Sequence, residues 1–157
     1  MTDWIDELAT RDKAKAEQNR TQDELRLHRA KIIEAKAPEF WDALIEKLSS
    51  DCPRLRKMFP DDRNRHCNLV KSGIDWTLQG SKLPWRILIL HFNPKGQSVD
   101  ISEGVQETRD RTTRSEPDQV KISANRDDEL EFVYRNKTHT TPASLAQHLI
   151  SYVCDIE

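Results

Sequence analysis

Residues 85–92, Trp85-Arg86-Ile87-Leu88-Ile89-Leu90-His91-Phe92, decide the fold. Side chains along an extended strand alternate between its two faces. Trp85, Ile87, Ile89 and His91 therefore share one face, and Leu88, Leu90 and Phe92 share the other. A strand that is apolar on both faces needs cover on both, which predicts a central place in a sheet or a contact between copies.

Working outward, the period-two pattern recurs on both sides of this segment. Ile74, Trp76 and Leu78 alternate with Asp75 and Thr77, predicting a strand with one buried face. Asn93-Pro94-Lys95-Gly96 reads as a turn into a strand carrying Val99 and Ile101. Val120 and Ile122 mark another strand, Asn125 to Asp128 a turn, and Leu130, Phe132 and Tyr134 a further one-faced strand. Between them, residues 103–118 hold 8 charged groups in 16 residues and Val105 as their one large apolar residue. That composition fits either a polar edge hairpin or a loop.

The flanks read as helix. Residues 3–36 contain neither Gly nor Pro, favour strong helix formers and begin with acids that suit the positive end of the helix dipole. Trp4, Ile5 and Leu8 cluster at the start, Leu25, Leu27, Ile32 and Ile33 resume the pattern, and residues 10–24 between them hold 8 charged groups. A heptad seam through Ile5 and Leu8 reaches Asp12 and Lys15, so a regular coiled coil fails in the middle and the expectation is a projecting helix with a solvated centre. Pro38 is expected to interrupt, opening a second amphipathic helix with Phe40, Trp41, Leu44, Ile45 and Leu48 on one face. Thr141-Pro142 supplies an N-cap and N1 for a last helix striped by Leu145, Leu149, Tyr152 and Val153. The expectation is thus an α+β chain: an N-terminal helical extension over residues 1–36, then a single domain over residues 37–157. In that domain a second helix and a C-terminal helix accompany an antiparallel sheet of about five strands.

Composition bounds the chemistry. Of 157 residues, 25 are Lys or Arg and 27 Asp or Glu, for a net charge of −2. No overall field draws such a chain to nucleic acid or anionic lipid. Four glycines, at 73, 80, 96 and 104, provide neither G-x-G-x-x-G nor G-x-x-x-x-G-K-[ST], so the common backbone cradles for phosphate are missing. The longest apolar run, Ile87 to Leu90, is far short of the ~20 residues of a membrane span, and the acidic start lacks the apolar region of a secretory signal. A soluble, cytoplasmic protein with no membrane partner is expected. Cys52, Cys67 and Cys154 are odd in number, widely spaced and without C-x-x-C, which points to reduced thiols. The five histidines show no i,i+4 pair and no H-E-x-x-H, so neither metal nor cofactor is expected.

Three functional readings follow. The first is a non-enzymatic interaction or self-associating module, with Trp4, Ile5 and Leu8 as contact residues for another protein or another copy of the chain. The second is a nucleic-acid-associated protein using the basic 54–71 segment, with Arg63 and Arg65 as contacts and Trp76 and Trp85 as stacking platforms. The third is a small-ligand binder or enzyme with a pocket between helices and sheet near Cys67, Trp85 and His91. No catalytic residue is assigned, because no motif carries one.

Overall fold

The computed structural model describes residues 3–81, 85–93, 98–108, 111–114 and 118–154. The expected turn at Asn93–Gly96 falls mostly on residues 94–97, outside the described residues. The first element, α1, runs unbroken over Trp4–Met58. Its 55 residues, at about 1.5 Å rise each, make a rod of about 80 Å. Asp3 caps the start, accepting from the Ile5 N–H at 3.3 Å, with Asp6 and Glu7 in the first turn. Arg56 and Lys57 occupy the last turn, and the Phe59 N–H closes the end on the Leu55 carbonyl just before Pro60.

The expected break at Pro38, and with it a separate second helix, is therefore not found: Pro38 and Pro53 both lie inside α1. Proline in a helix interior costs about 3 kcal/mol through a lost hydrogen bond and a ring clash. Here one apolar face runs across it, burying Ile33, Ala37, Leu44, Leu48 and Cys52. Phe40 stacks on Phe132 with ring centroids 3.4 Å apart, and Trp41 on Phe92 at 5.5 Å. At about 1.5–3 kcal/mol per large buried side chain, that seam outweighs the proline penalty.

After a short 3₁₀ turn at Arg63–Arg65, eight strands follow: β1 Cys67–Ser72, β2 Asp75–Gly80, β3 Trp85–Asn93, β4 Ser98–Thr108, β5 Arg111–Arg114, β6 Asp118–Ala124, β7 Leu130–Tyr134 and β8 Lys137–His139. All pairings are antiparallel. β4 pairs β3 along nearly its whole length, whereas its other edge is shared, β6 taking Ser98 to Ile101 and β5 taking Gly104 to Thr108. β5 and β6 therefore lie in one row, and the eight strands form a seven-row meander instead of the expected five-stranded sheet. Of the unanticipated members, β5 and β8 are short and polar and take their ladder hydrogen bonds from neighbours that already pack, whereas β1 brings Cys67 and Leu69 to the inner face. Residues 103–118 accordingly contribute the end of β4 and the paired β5, a hairpin in the middle rows.

Register settles which face is inside. Leu69, Leu78, Leu88 and Glu103 align across four strands, as do Trp76, Leu90 and Ile101, and Ile122, Phe132 and His139. On this inner face Leu78, Leu88, Leu90, Ile101 and Phe132 are buried with α1 and with α2, Pro142–Val153. Thr141 caps α2 as expected, its side chain accepting from the Ser144 N–H, with Pro142 in the first turn. On the outer face Trp85, Ile87 and Ile89 of the central β3 are only half-buried. Ile74, expected in the buried set, is instead 79% exposed, because it sits beside Gly73 (φ +64°) in the two-residue turn joining β1 to β2.

Gly80, at the end of β2, lies hard against the end of α2: a Cβ there would strike the Val153 carbonyl oxygen. Gly80→Ala is expected to lower stability by about 1–3 kcal/mol in urea unfolding at unchanged slope. An unaltered midpoint would mean that α2 is not docked against β2.

Candidate functional site

The contact residues expected at the N-terminus stand at the far tip of α1. Every residue from Asp3 to Arg29 is exposed, and Ile33 is the first that is buried. Trp4, Ile5 and Leu8 are 69%, 54% and 42% exposed. The arm leaves the body where Lys36 Nζ donates to the Asp128 carbonyl at 2.9 Å and His28 Nε2 lies 3.2 Å from Asp128 Oδ1. Asp128 can serve both because the β6–β7 turn holds it at φ 59°, with Asn125 Oδ1 accepting from the Asp127 and Glu129 N–H groups. Beyond that anchor, a cleft of about 400 Å³ is lined by Gln22, Leu25, Arg26, Arg29, Ala30 and Ile33.

The basic segment is less concerted. Arg65 is engaged locally, its Nε 3.3 Å from Asp62 Oδ2 and its guanidinium 4.4 Å from the Phe59 ring centre, while Arg63 is exposed on the same short turn. The tryptophans proposed as stacking platforms are divided between faces: Trp76 aligns with Leu90 on the inner face, and Trp85 lies outward with Ile87. The residues of the pocket reading do not converge either. Cys67 is fully buried at the inner face, whereas Trp85 and His91, which binds Asp75 at 2.6 Å, lie on the outer face.

Three groupings are visible only in three dimensions. Cys52 from α1, Cys67 from β1 and Cys154 at the C-cap of α2 meet: Cys52 Sγ is 3.0 Å from Cys67 Sγ, and Cys154 also hydrogen-bonds to Cys67. Contacts with the other two sulfurs, reinforced by burial, push the Cys67 thiol far up, while contact with Cys67 lowers those of Cys52 and Cys154 despite burial. A second grouping joins β8 to α2: His139 Nδ1 lies 2.7 Å from Ser144 Oγ and its Nε2 lies 2.9 Å from His148 Nδ1. The third gathers Glu103, which receives the Tyr134 hydroxyl at 2.7 Å and pairs with Arg135. Arg135 holds a left-handed conformation, φ 49°, in the tight β7–β8 turn, and its guanidinium lies over both the Tyr134 and Tyr152 rings. Cys52 and Cys67 are 15 positions apart, Cys67 and Cys154 are 87 apart, Glu103 and Tyr134 are 31 apart, and His139 and His148 are 9 apart, so no local motif marks these groupings. Burial of a small polar residue beside an apolar alternation, as at Cys67 and His139, was the only trace of them in the sequence.

No family model matches the chain, and neither does any curated protein or solved structure at a significant level. Among the described residues, no helix is long and apolar enough to cross a membrane.

The histidine pair has a pH consequence. Burial lowers the pKa of both imidazoles, helped by Lys137 at His139 and by His139, Lys137 and Arg135 at His148. The folded chain thus binds these protons less readily than the unfolded chain, whose histidines titrate near 6.5, and stability falls as pH drops through and below that value. The urea midpoint is expected to be lower at pH 5.5 than at pH 7.5, with a smaller difference in the His139→Gln/His148→Gln variant. An equal difference in both proteins would remove the pair as the cause.

Proposed function

We propose that the protein is a self-associating interaction module whose helical arm pairs antiparallel with the arm of a second copy. The observation that carries this reading is the arm itself: residues 4–29 stay helical with every side chain exposed, while three large apolar residues stand unpartnered at its tip. Most helical stability in proteins comes from packing an apolar face, and residues 4–29 pack none within the chain.

Pattern and charge favour a second copy as the occupant. On a 3.5-residue repeat, Trp4, Ile5 and Leu8 fall on the same stripe as Gln22, Leu25, Arg26, Arg29 and Ile33, which line the basal cleft. Antiparallel pairing centred near Glu17 brings each tip to the other copy's cleft. The same arrangement sets residues 10–16, net +2, alongside residues 18–24, net −1. A twofold axis makes both contacts occur twice, as an isologous interface requires. The polar centre then specifies orientation, and the apolar ends supply most of the affinity.

Sedimentation equilibrium of the full chain at tens of micromolar is expected to give a dimer. Trp4→Asp/Leu8→Asp is expected to weaken it at least about 100-fold, since two apolar contacts of about 1.5–3 kcal/mol each are lost per tip. A wild-type monomer at those concentrations would overturn self-association.

A further inference from the structure

The sulfur cluster is built where α1, β1 and α2 meet, and it has an entrance. Pro53 has no N–H to give the Ser49 carbonyl, and beside this interruption of the helix ladder lies a cleft of about 280 Å³ lined by Ser49, Cys52, Pro53, Arg56, Cys67, Asn68 and Leu69. Cys52, which keeps a small exposed surface, therefore borders a space open to a small molecule, with the fully buried Cys67 behind it and Arg56 among the lining residues. Cys52 and Cys67 are 15 positions apart, and the chain between them is the connector that carries Arg63 and Arg65.

We infer that Cys52 and Cys67 are an oxidisable dithiol, which a hydroperoxide entering through the Pro53 cleft converts to a disulfide. Cys52 is the attacking sulfur. It lines the cleft, it is the less deeply buried of the two sulfur-bearing residues, and its contact with Cys67 lowers its thiol pKa despite burial and the nearby Asp51. Its sulfur attacks the peroxide, the O–O bond breaks, and Cys52 becomes a sulfenic acid as water (or, from an alkyl hydroperoxide, an alcohol) leaves. Cys67 sulfur then attacks the sulfenic sulfur, the S–O bond breaks, and a second oxygen departs as water carrying the remaining thiol proton. Two thiols are oxidised by two electrons in total, and one hydroperoxide is reduced by two. The sulfur atoms, now 3.0 Å apart, must approach to about 2.05 Å, a shift of about 1 Å that side-chain rotation supplies.

Cys154 gives the site its asymmetry. Its S–H donates to the His66 carbonyl at 3.6 Å, away from the cleft. It does not line the cleft, so its sulfur is placed as a bystander in the first oxidation. The new bond would clamp the connector and β1 to the end of α1, in the folded body and away from the arm that the proposed self-association uses.

The test treats the native full chain with one equivalent of hydrogen peroxide, blocks remaining thiols, and maps cross-linked peptides by mass spectrometry. The expected product is a chain lighter by two hydrogen atoms, with Cys52 joined to Cys67 and Cys154 alkylated. Cys154→Ser is expected to form the same link, and Cys52→Ser to lose peroxide-dependent thiol consumption at least about tenfold. A Cys67–Cys154 link, oxidation only to sulfinic or sulfonic acid, or a native chain reacting no faster than its urea-unfolded form would overturn the assignment. The unfolded reference and the wild-type map do not depend on any variant folding.

Discussion

The seam between α1 and the inner face of the sheet, from Ile33 to Cys52, is what the rest of the molecule depends on. It carries the helix unbroken through two prolines because Phe40 and Trp41 stack on Phe132 and Phe92 while Leu44 and Leu48 are buried in the same core. With that seam in place, α2 closes the remaining inner face, and the last turns of α1 deliver Cys52 beside β1. The same continuity pushes the N-terminal half of α1 out of the body as a rigid extension. A flexible hinge at Pro38 would have left the direction of the arm unspecified.

The polar groupings lie around the margins of this core, each tying one element to another. His139 with His148 and Ser144 links β8 to α2, and Glu103 with Tyr134, Arg135 and Tyr152 links β4, the β7–β8 turn and α2. Buried polar groups are costly unless satisfied. No buried side-chain polar atom among the described residues lacks a partner. Arg135 even keeps a left-handed backbone that glycine or asparagine occupies more cheaply, which its ion pair and ring contacts offset. The sulfur cluster has a cleft of about 280 Å³ beside it.

The α+β class, the central place of β3, the polar middle of the arm and the cap of α2 were legible in the sequence because each is written in spacing. The two-period pattern of residues 85–92 reports a strand buried between neighbours wherever it sits, and Thr141-Pro142 stops and starts a chain locally. The seven-row sheet was not legible, because β5 and β8 hold their places through hydrogen bonds to neighbours and carry little apolar signal of their own. Ile74 misled for a related reason: alternation continues through a two-residue turn, although the backbone there has left the sheet.

By itself, then, the sequence determined periodicity and charge: which segments alternate, which are amphipathic, and that residues 10–24 and 103–118 are polar. Those are properties of neighbours along the chain, set by backbone geometry and solvation. Only the tertiary structure decided that Pro38 lies within a helix, that Trp4, Ile5 and Leu8 remain uncovered within one chain, and that Cys52 and Cys67 touch. Each of these is a balance between a local cost and packing energy from residues distant in sequence, and that packing exists only once the sheet and α1 have come together.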